Sequence, residues 1–528
     1  MRLSAALGWV GWALALALAG VLLTELARHQ LIDHFDRSAA AQLAQAARGD
    51  TPYVWHFRTR DELVRGRPFG GAGFHFDAQG LHLLPDAAGA TEVGLVLAVP
   101  LDLQRYPRLS WHARGAIEPV RLVVRETLDA PQRLLTLPAA DGTVVDLTAA
   151  AWRDETGAAV APPTRAAMLR LHWPAAVGGE ATLTELRVEA AAAMRRPELD
   201  RPLRRWPATG PGPDGNCVLV LSAAPTPAAL PTTPWSDTLL PLFALQRPAS
   251  AEQTLALRDR LRARFPTAIL LAGGEDIDRV RRLARSARGN VAVSPSAPWD
   301  ESRMAAVLAT ALGLVLLRWR PPRAPRSRAA AEVIAVFAVP CGLIVTGQFG
   351  DNPPIWVWTL LALPLLFAAS LPRYGHTATT AHGGHATRWQ AWLGGGAVLL
   401  LAVLAGLLLG DGSLRAPEVA HALRYLVWAG LQQWLLCVVL ADRLRLLVGS
   451  ARWAALLAAV VFALMHTPNQ ALMQFTLLGA LLWVPLWLRS RRLLPLVLSH
   501  AASGLVLGTL LPPEILRSAE VSARFFLP

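Results

Sequence analysis

The chain has 528 residues, 53% of them hydrophobic and 17% charged. Its mean hydropathy of +0.34 exceeds what a core buried by folding alone requires, so membrane spans carry the excess. That composition excludes a disordered or fibrous chain, and three scattered cysteines, Cys217, Cys341 and Cys437, exclude a disulfide framework. The net charge of +13 is no nucleic-acid footprint: residues 303–528 hold 18 Arg and 7 acidic residues, a balance of +11, whereas residues 1–302 hold 33 Arg and 31 acidic residues, a balance of +2. The excess sits among the apolar runs, where cationic loops set membrane topology, and no nucleic-acid partner is expected.

In chain order, the first element is an uncharged run of 22 residues from Leu3 to Thr24. It is too long for the apolar region of a signal peptide and matches the span of a bilayer, which predicts a membrane anchor over residues 1–27. Residues 50–192 then alternate with period two, as in Tyr53/Trp55/Phe57, Phe74/Phe76, Leu81/Leu83, Leu95/Leu97/Val99, Leu109/Trp111, Leu122/Val124, Leu135/Leu137 and Leu169/Leu171/Trp173. Short strands with Gly, Pro and Asp-Gly turns between them predict a β-sandwich over residues 45–195. The pattern, notably Asp102-Leu-Gln-Arg-Tyr-Pro-Arg-Leu-Ser-Trp111, resembles the galactose-binding-like jelly rolls of carbohydrate-binding modules. The resemblance implies a glycan ligand stacked on exposed aromatics such as Trp152 or Trp173; the alternative is that both fill the core. His75, His82, His112 and His172 show no metal-ligand spacing and read as strand or surface residues.

After the Pro/Gly-rich joint Trp206–Pro213 comes a predicted α/β unit over residues 214–298. Its strands are Val218–Leu221, Ala268–Leu271 and Val291–Val293, and its helices Ala251–Phe265 and Asp276–Arg288. The glycine turn at Leu271–Glu275 completes neither a P-loop nor a dinucleotide fingerprint, so this unit reads as a spacer or a partner-binding domain. Cys217 is expected as a buried small hydrophobe.

Residues 303–515 are predicted to form a polytopic bundle. The uncharged windows are 304–317, 333–350, 352–372, 389–410, 425–441, 453–488 and 493–513. The 453–488 window is too long for one helix and is interrupted by His466-Thr-Pro-Asn469, so it divides into two spans, giving eight C-terminal spans and nine in all. Arginines alternate accordingly: Arg318–Arg328, Arg373–Arg388, Arg443–Arg452 and Arg489–Arg492 lie on one side, and the intervening loops are almost free of Arg. The positive-inside rule then predicts a multi-pass protein of a bacterial inner membrane, with residues 28–300 periplasmic. His376, His382 and His385 fall in a Gly/Thr-rich loop, read as solvated.

Polar groups inside a membrane are costly and mark candidate sites. Three clusters occur: Gln432-Gln433, Phe462-Ala-Leu-Met-His466-Thr-Pro-Asn469, and Ser499-His500-Ala-Ala-Ser503-Gly504. The ordered set Gln432-Gln433-Trp-Leu-Leu-Cys437, Phe462-xxx-His466 and His500-xxx-Gly504 resembles the CAAX prenyl protease and bacteriocin-processing family of intramembrane proteases. Their signature is EExxxR, then FxxxH, then HxxxN. The resemblance covers about residues 328–513, with its core at 425–505. It implies an endopeptidase acting on a membrane-associated protein or peptide, in which the first motif's glutamate activates water, the first histidine assists, and the later histidine and Asn stabilise the oxyanion.

The residues depart from that pattern. An amide is no general base, so Gln432 and Gln433 remove the group on which the mechanism relies. Cys437 replaces Arg, and Gly504 replaces Asn. Asp442 lies about 13 Å along a helix from Gln433, and Glu418 farther, so neither acid reaches the site. Two histidines are one short of a usual catalytic zinc set, and no cofactor is named. Three readings stay open. His466 is itself the base, oriented by Gln433; Cys437 and His466 form a nucleophile pair; or Gln432, Gln433, His466 and His500 bond helices together in a non-catalytic scaffold whose exported domain binds a glycan or a protein.

Overall fold

The computed structural model describes residues 2–48, 53–70, 73–84, 90–97, 100–115, 120–138, 142–173, 179–191, 195–206, 214–221, 240–246, 250–265, 267–272, 276, 278–287, 301–350, 353–372, 385–412 and 418–526. Two compact units emerge: residues 1–31, 250–256 and 297–528 form one, and residues 32–249 and 257–296 the other. Helix α1 (Arg2–Arg48) contributes to both. It is longer than the expected anchor because the chain does not turn after Thr24. Ala39, Ala40, Leu43 and Ala44 continue an apolar stripe at helical spacing, and that stripe is buried in the second unit.

In the second unit the strands are β1 (Val54–Trp55), β2 (Gly73–Phe76), β3 (Leu81–Leu84), β4 (Thr91–Leu95), β5 (Leu101–Asp102), β6 (Arg108–Gly115), β7 (Arg121–Arg125), β8 (Arg133–Thr136), β9 (Val145–Asp146), β10 (Arg165–Ala166), β11 (Met168–Trp173) and β12 (Ala181–Glu189). One antiparallel sheet runs β2-β3-β12-β6-β9, with β1 on β12; a second runs β4-β11-β7-β8; β5 and β10 form a separate pair. Alternation does the sorting. On β11, Leu169, Leu171 and Trp173 are buried while Met168, Arg170 and His172 are less so, and the inner faces of both sheets share one hydrophobic core. Trp152 and Trp173 belong to that core, 1% and 2% exposed. Trp152 donates its Nε1–H to the Leu147 carbonyl at 2.8 Å. Neither indole is a platform for a sugar, which corrects the glycan-stacking expectation for these two residues.

Beyond this lie β13 (Arg204–Arg205), β14 (Cys217–Leu221), β15 (Leu242–Leu245), α2 (Ala251–Arg264), β16 (Ile269–Leu271) and α3 (Asp278–Ala287). They give a parallel sheet in the order β13-β14-β15-β16. β15 was not expected from the sequence, since its four residues are all buried and show no alternation. Cys217 is half-buried rather than buried. The expected strand Val291–Val293, the glycines of the Leu271–Glu275 turn and the joint after Trp206 lie outside the described residues.

The first unit is helical: α4 (Glu301–Trp319), α5 (Pro325–Val345), α6 (Ile355–Ser370), α7 (His385–Leu409), α8 (Val419–Gln433), a π-helical turn (Trp434–Ala441), α9 (Asp442–Val448), α10 (Ala451–Leu464), α11 (Gln470–Ser490) and α12 (Leu493–Leu510). Among the described residues seven helices are long and apolar enough to cross a membrane, with α8–α9 counted as one, and two more, α6 and α10, are shorter apolar helices. The windows predicted nine spans; seven of the nine corresponding helices reach spanning length and α6 and α10 fall short of it, and this is a multi-pass membrane protein. Apolar side chains stand exposed along single helix faces, as with Leu308, Leu312 and Val315 on α4 and Leu400, Leu404 and Leu407 on α7. Such faces are stable against hydrocarbon rather than water. Within this unit α1 is docked by side-chain hydrogen bonds. Trp12 Nε1–H donates to the Arg452 carbonyl at 3.0 Å, and Gln474 Nε2 donates to Gly20 O and Thr24 Oγ1 at 3.2 and 3.0 Å. Gly406 on α7 admits α12, since a Cβ there would lie 2.6 Å from the Leu510 side chain.

A buried ion pair ties α5 to α9: Arg443 Nε donates to Glu332 Oε2 at 2.8 Å, with both side chains at most 3% exposed. Glu332 also accepts from Arg328 at 2.9 Å, and Arg443 reaches the Val439 carbonyl at 3.1 Å. Glu332→Leu strands a buried guanidinium and is expected to cost about 3–5 kcal/mol, whereas Glu332→Leu with Arg443→Met recovers most of that loss; thermal unfolding of the detergent-solubilised protein reads both. In the sandwich, Glu126 is held below the usual carboxylate range by the Thr164 backbone N–H first, then by the Thr164 hydroxyl and Arg133. Its contribution is present above the ordinary carboxylate pKa and is lost as pH falls through the lowered value. The protection of amides in residues 121–136, taken relative to the intrinsic exchange rate at each pH, should therefore fall on acidification, and Glu126→Gln should flatten that dependence.

Candidate active site

Three parts of the helical unit place the polar centre. Gln433 ends α8, just before the π-helical turn that carries Cys437. Phe462 lies near the end of α10, and His466 in the connection after it. Proline stops the helix here, and Asn469 restarts it by capping α11, its Oδ1 accepting from Leu472 N–H at 3.1 Å. Ser499, His500, Ser503 and Gly504 lie on α12.

The structure brings Gln433, Cys437, Phe462, His466 and His500 together. Cys437 Sγ–H donates to Gln433 Oε1 at 3.3 Å, and Gln433 Nε2 meets His500 Nδ1 at 3.3 Å. A thiol donates to an oxygen, which orients the amide; its N–H then requires an unprotonated Nδ1 on His500. The proton of neutral His500 therefore resides on Nε2. His466 has the opposite tautomer: its Nδ1 is 2.7 Å from the Phe462 carbonyl, an acceptor only, so Nδ1 carries the proton and Nε2 the lone pair. The Phe462 ring lies edge-on to both imidazoles, at 4.8 Å from His466 and 5.9 Å from His500. Around the Phe462 ring, then, stand one imidazole with an Nε2 acceptor and one with an Nε2–H donor, in an apolar setting.

Two aromatic residues pack against His500, and sequence reasoning missed both. Trp483 stacks on His500 at 4.8 Å and is itself fixed, donating Nε1–H to Ser499 Oγ at 3.2 Å, while Ser499 donates to the Gly395 carbonyl at 2.8 Å. Tyr425, two turns before Gln433 on α8, lies edge-on to His500 at 6.2 Å. Its hydroxyl occupies the space beside Gly504, where a Cβ would sit 2.1 Å from it. The glycine in the family's Asn position is thus what admits this tyrosine. An aromatic inside an apolar window gives no signal of its own, so only packing distinguishes these two.

The other expected residues fall outside the cluster. Gln432 is half-buried and makes none of these contacts. Asn469 is spent on structure, since besides capping α11 its Nδ2 donates to the carbonyls of Ser518 and Glu520 at 2.7 and 3.3 Å. Ser503 Oγ is buried without a hydrogen-bond partner among the described residues. Asp442 is held by Trp487 Nε1–H at 3.0 Å and by Arg491, and Glu332, a buried acid overlooked in the sequence, by Arg443 and Arg328. Among the described residues the hydrogen bonds of Gln433, His466 and His500 run to a thiol, an imidazole, an amide and a backbone carbonyl. His376 and His382 lie outside the described residues, as does the side chain of His385. In the second unit His75 and His82, distant by sequence spacing, are adjacent.

Residues 423–506 match the family model described as Type II CAAX prenyl endopeptidase Rce1-like. That is the family of the motif resemblance, and the matched stretch contains every member of the polar cluster. No curated protein and no solved structure matches the chain. Gly504→Ala is expected to cost about 1–3 kcal/mol by overpacking, and Tyr425→Ala in the same chain to return part of it. Thermal unfolding of the single and double variants measures the coupling.

Proposed function

We propose that this protein is a membrane-embedded endopeptidase of the CAAX type whose general base is a histidine instead of a glutamate. The carrying observation is the opposed polarity of the two imidazoles, with an Nε2 lone pair on His466 and an Nε2–H on His500. In this reading His466 Nε2 takes a proton from water as the oxygen attacks a peptide carbonyl. His500 Nε2–H donates to the oxyanion, and the proton on His466 then passes to the leaving amine as the C–N bond breaks. Gln433 does no proton transfer; it fixes the His500 tautomer, and Cys437 fixes Gln433. The Cys437–His466 nucleophile pair is not retained, because the thiol hydrogen bond goes to Gln433. Match and motif support the peptidase class; the substrate, a membrane-associated protein or peptide, rests on the resemblance.

The loop arginines support placing the chain in a bacterial inner membrane with residues 28–300 on the periplasmic side. The two sheets there, which we read as galactose-binding-like and jelly-roll in kind over 45–195, would engage a glycan or a protein partner, though not through Trp152 or Trp173. A second reading, a non-catalytic scaffold, is favoured by one observation: both ends of the Gln433 amide are satisfied within the protein.

Purified protein in liposomes should cleave a membrane-anchored peptide reporter. His466→Ala is expected to lower the rate by about 10²–10⁴-fold, and His500→Ala by about 10²–10³-fold. A wild type without activity, together with a Gln433→Glu variant that gains it, decides for the scaffold.

A further inference from the structure

We propose that the β2–β3 hairpin binds one divalent cation of the zinc class through His75, Asp77 and His82, independently of the peptidase reading. The ligand atoms of these three residues lie within 4.8 Å of one another. His75 and His82 are register partners across the two strands, and their rings stack with centroids 4.3 Å apart and planes 7° apart. Phe74 and Phe76 pack against the core, so period two turns His75 to the opposite, solvent-facing side. Asp77 opens the turn. Its Oδ1 accepts from the Gln79 and Gly80 N–H groups at 2.7 and 3.1 Å, and its Oδ2 faces His82 Nε2 at 3.1 Å.

The state of His82 is the second observation. Its Nδ1 lies 2.9 Å from Glu180 Oε1; a carboxylate only accepts, so the proton of a neutral ring is on Nδ1. Nε2 is then a lone pair. It is buried and lacks a hydrogen-bond partner among the described residues, although a carboxylate oxygen is 3.1 Å away. A lone pair and a carboxylate oxygen at that distance repel each other unless a proton or a metal ion joins them, and the zinc titration below separates the two. Glu180 on one ring nitrogen with the metal on the other is the usual carboxylate–histidine–metal arrangement, in which the outer carboxylate fixes tautomer and ring plane. Two imidazoles and one carboxylate suit Zn²⁺, with water in the remaining position; Ca²⁺ and Mg²⁺ take oxygen ligands instead. His75, exposed, closes the set by side-chain rotation. Because β2 is the outermost strand of its sheet, the cation would clasp an edge that otherwise frays.

The test uses the full-length protein in detergent, stripped by chelator and then titrated with Zn²⁺ alone. Wild type should bind one more equivalent than His75→Ala or Asp77→Asn. The Asn variant keeps the turn acceptor while removing the charge, so the hairpin stays folded. At free zinc tenfold above the dissociation constant, exchange of the amides in residues 73–84 should slow about tenfold by mass action in wild type and stay unchanged in both variants. Equal stoichiometry and zinc-independent exchange in all three proteins would overturn the proposal, leaving an Asp77–His82 ion pair only.

Discussion

Hydrocarbon supplies no hydrogen bonds, and the helical unit is organised by that lack: the charged side chains buried there are matched from within the protein. Glu332 and Arg443 neutralise one another between α5 and α9. Asp442 is matched by an indole from α11 and by Arg491 just after it. Ser499 accepts from one neighbour and donates to another. Each acid in this group is committed to an arginine, which explains why none is free to enter the polar centre.

The centre itself is built from uncharged groups, and direction replaces charge in it. Thiol to amide oxygen, then amide N–H to imidazole, is a chain in which each donor dictates the next tautomer. The carbonyl of Phe462 dictates the other imidazole. Read this way, the glutamine and the cysteine go together: an arginine in place of Cys437 would call for a carboxylate four residues earlier, whereas a thiol calls only for an oxygen acceptor. In the proposed mechanism, the proton-accepting capacity that a glutamate of the EExxxR motif would bring falls to His466.

Much of the helical unit was legible in the sequence because a membrane makes hydrophobic length decisive. Each apolar window became a helix, and His466-Thr-Pro-Asn469 divided the longest where proline and an Asn cap act in opposite senses. The site was legible through the ordered motifs, for Gln433, Phe462, His466 and His500. It was not legible for Asn469, whose cap role uses the same side-chain chemistry, nor for Tyr425 and Trp483, which are aromatics among apolar residues until packing sets them against His500. In the second unit period two gave the strands but not their partners. The meeting of His75 and His82 depends on hairpin register, and the burial of Trp152 on a loop folding back over the core. The extension of α1 to Arg48 was obscured by alanines, whose small side chains weaken a hydrophobic stripe.

The π-helical turn after Gln433 has a consequence for how this segment can change over generations. A wide turn holds one residue more than an α-helical path of the same length, and here it separates the polar centre from the Asp442 and Arg443 pairings. Loss of a single codon within 434–441 would let the wide turn relax to an α-helical path and keep the register of Asp442 and Arg443, whereas a further gain would rotate all that follows by about 100° and swing both charged residues away from their partners. The turn thus acts as a one-residue length buffer between the polar centre and the charged pairings that follow it.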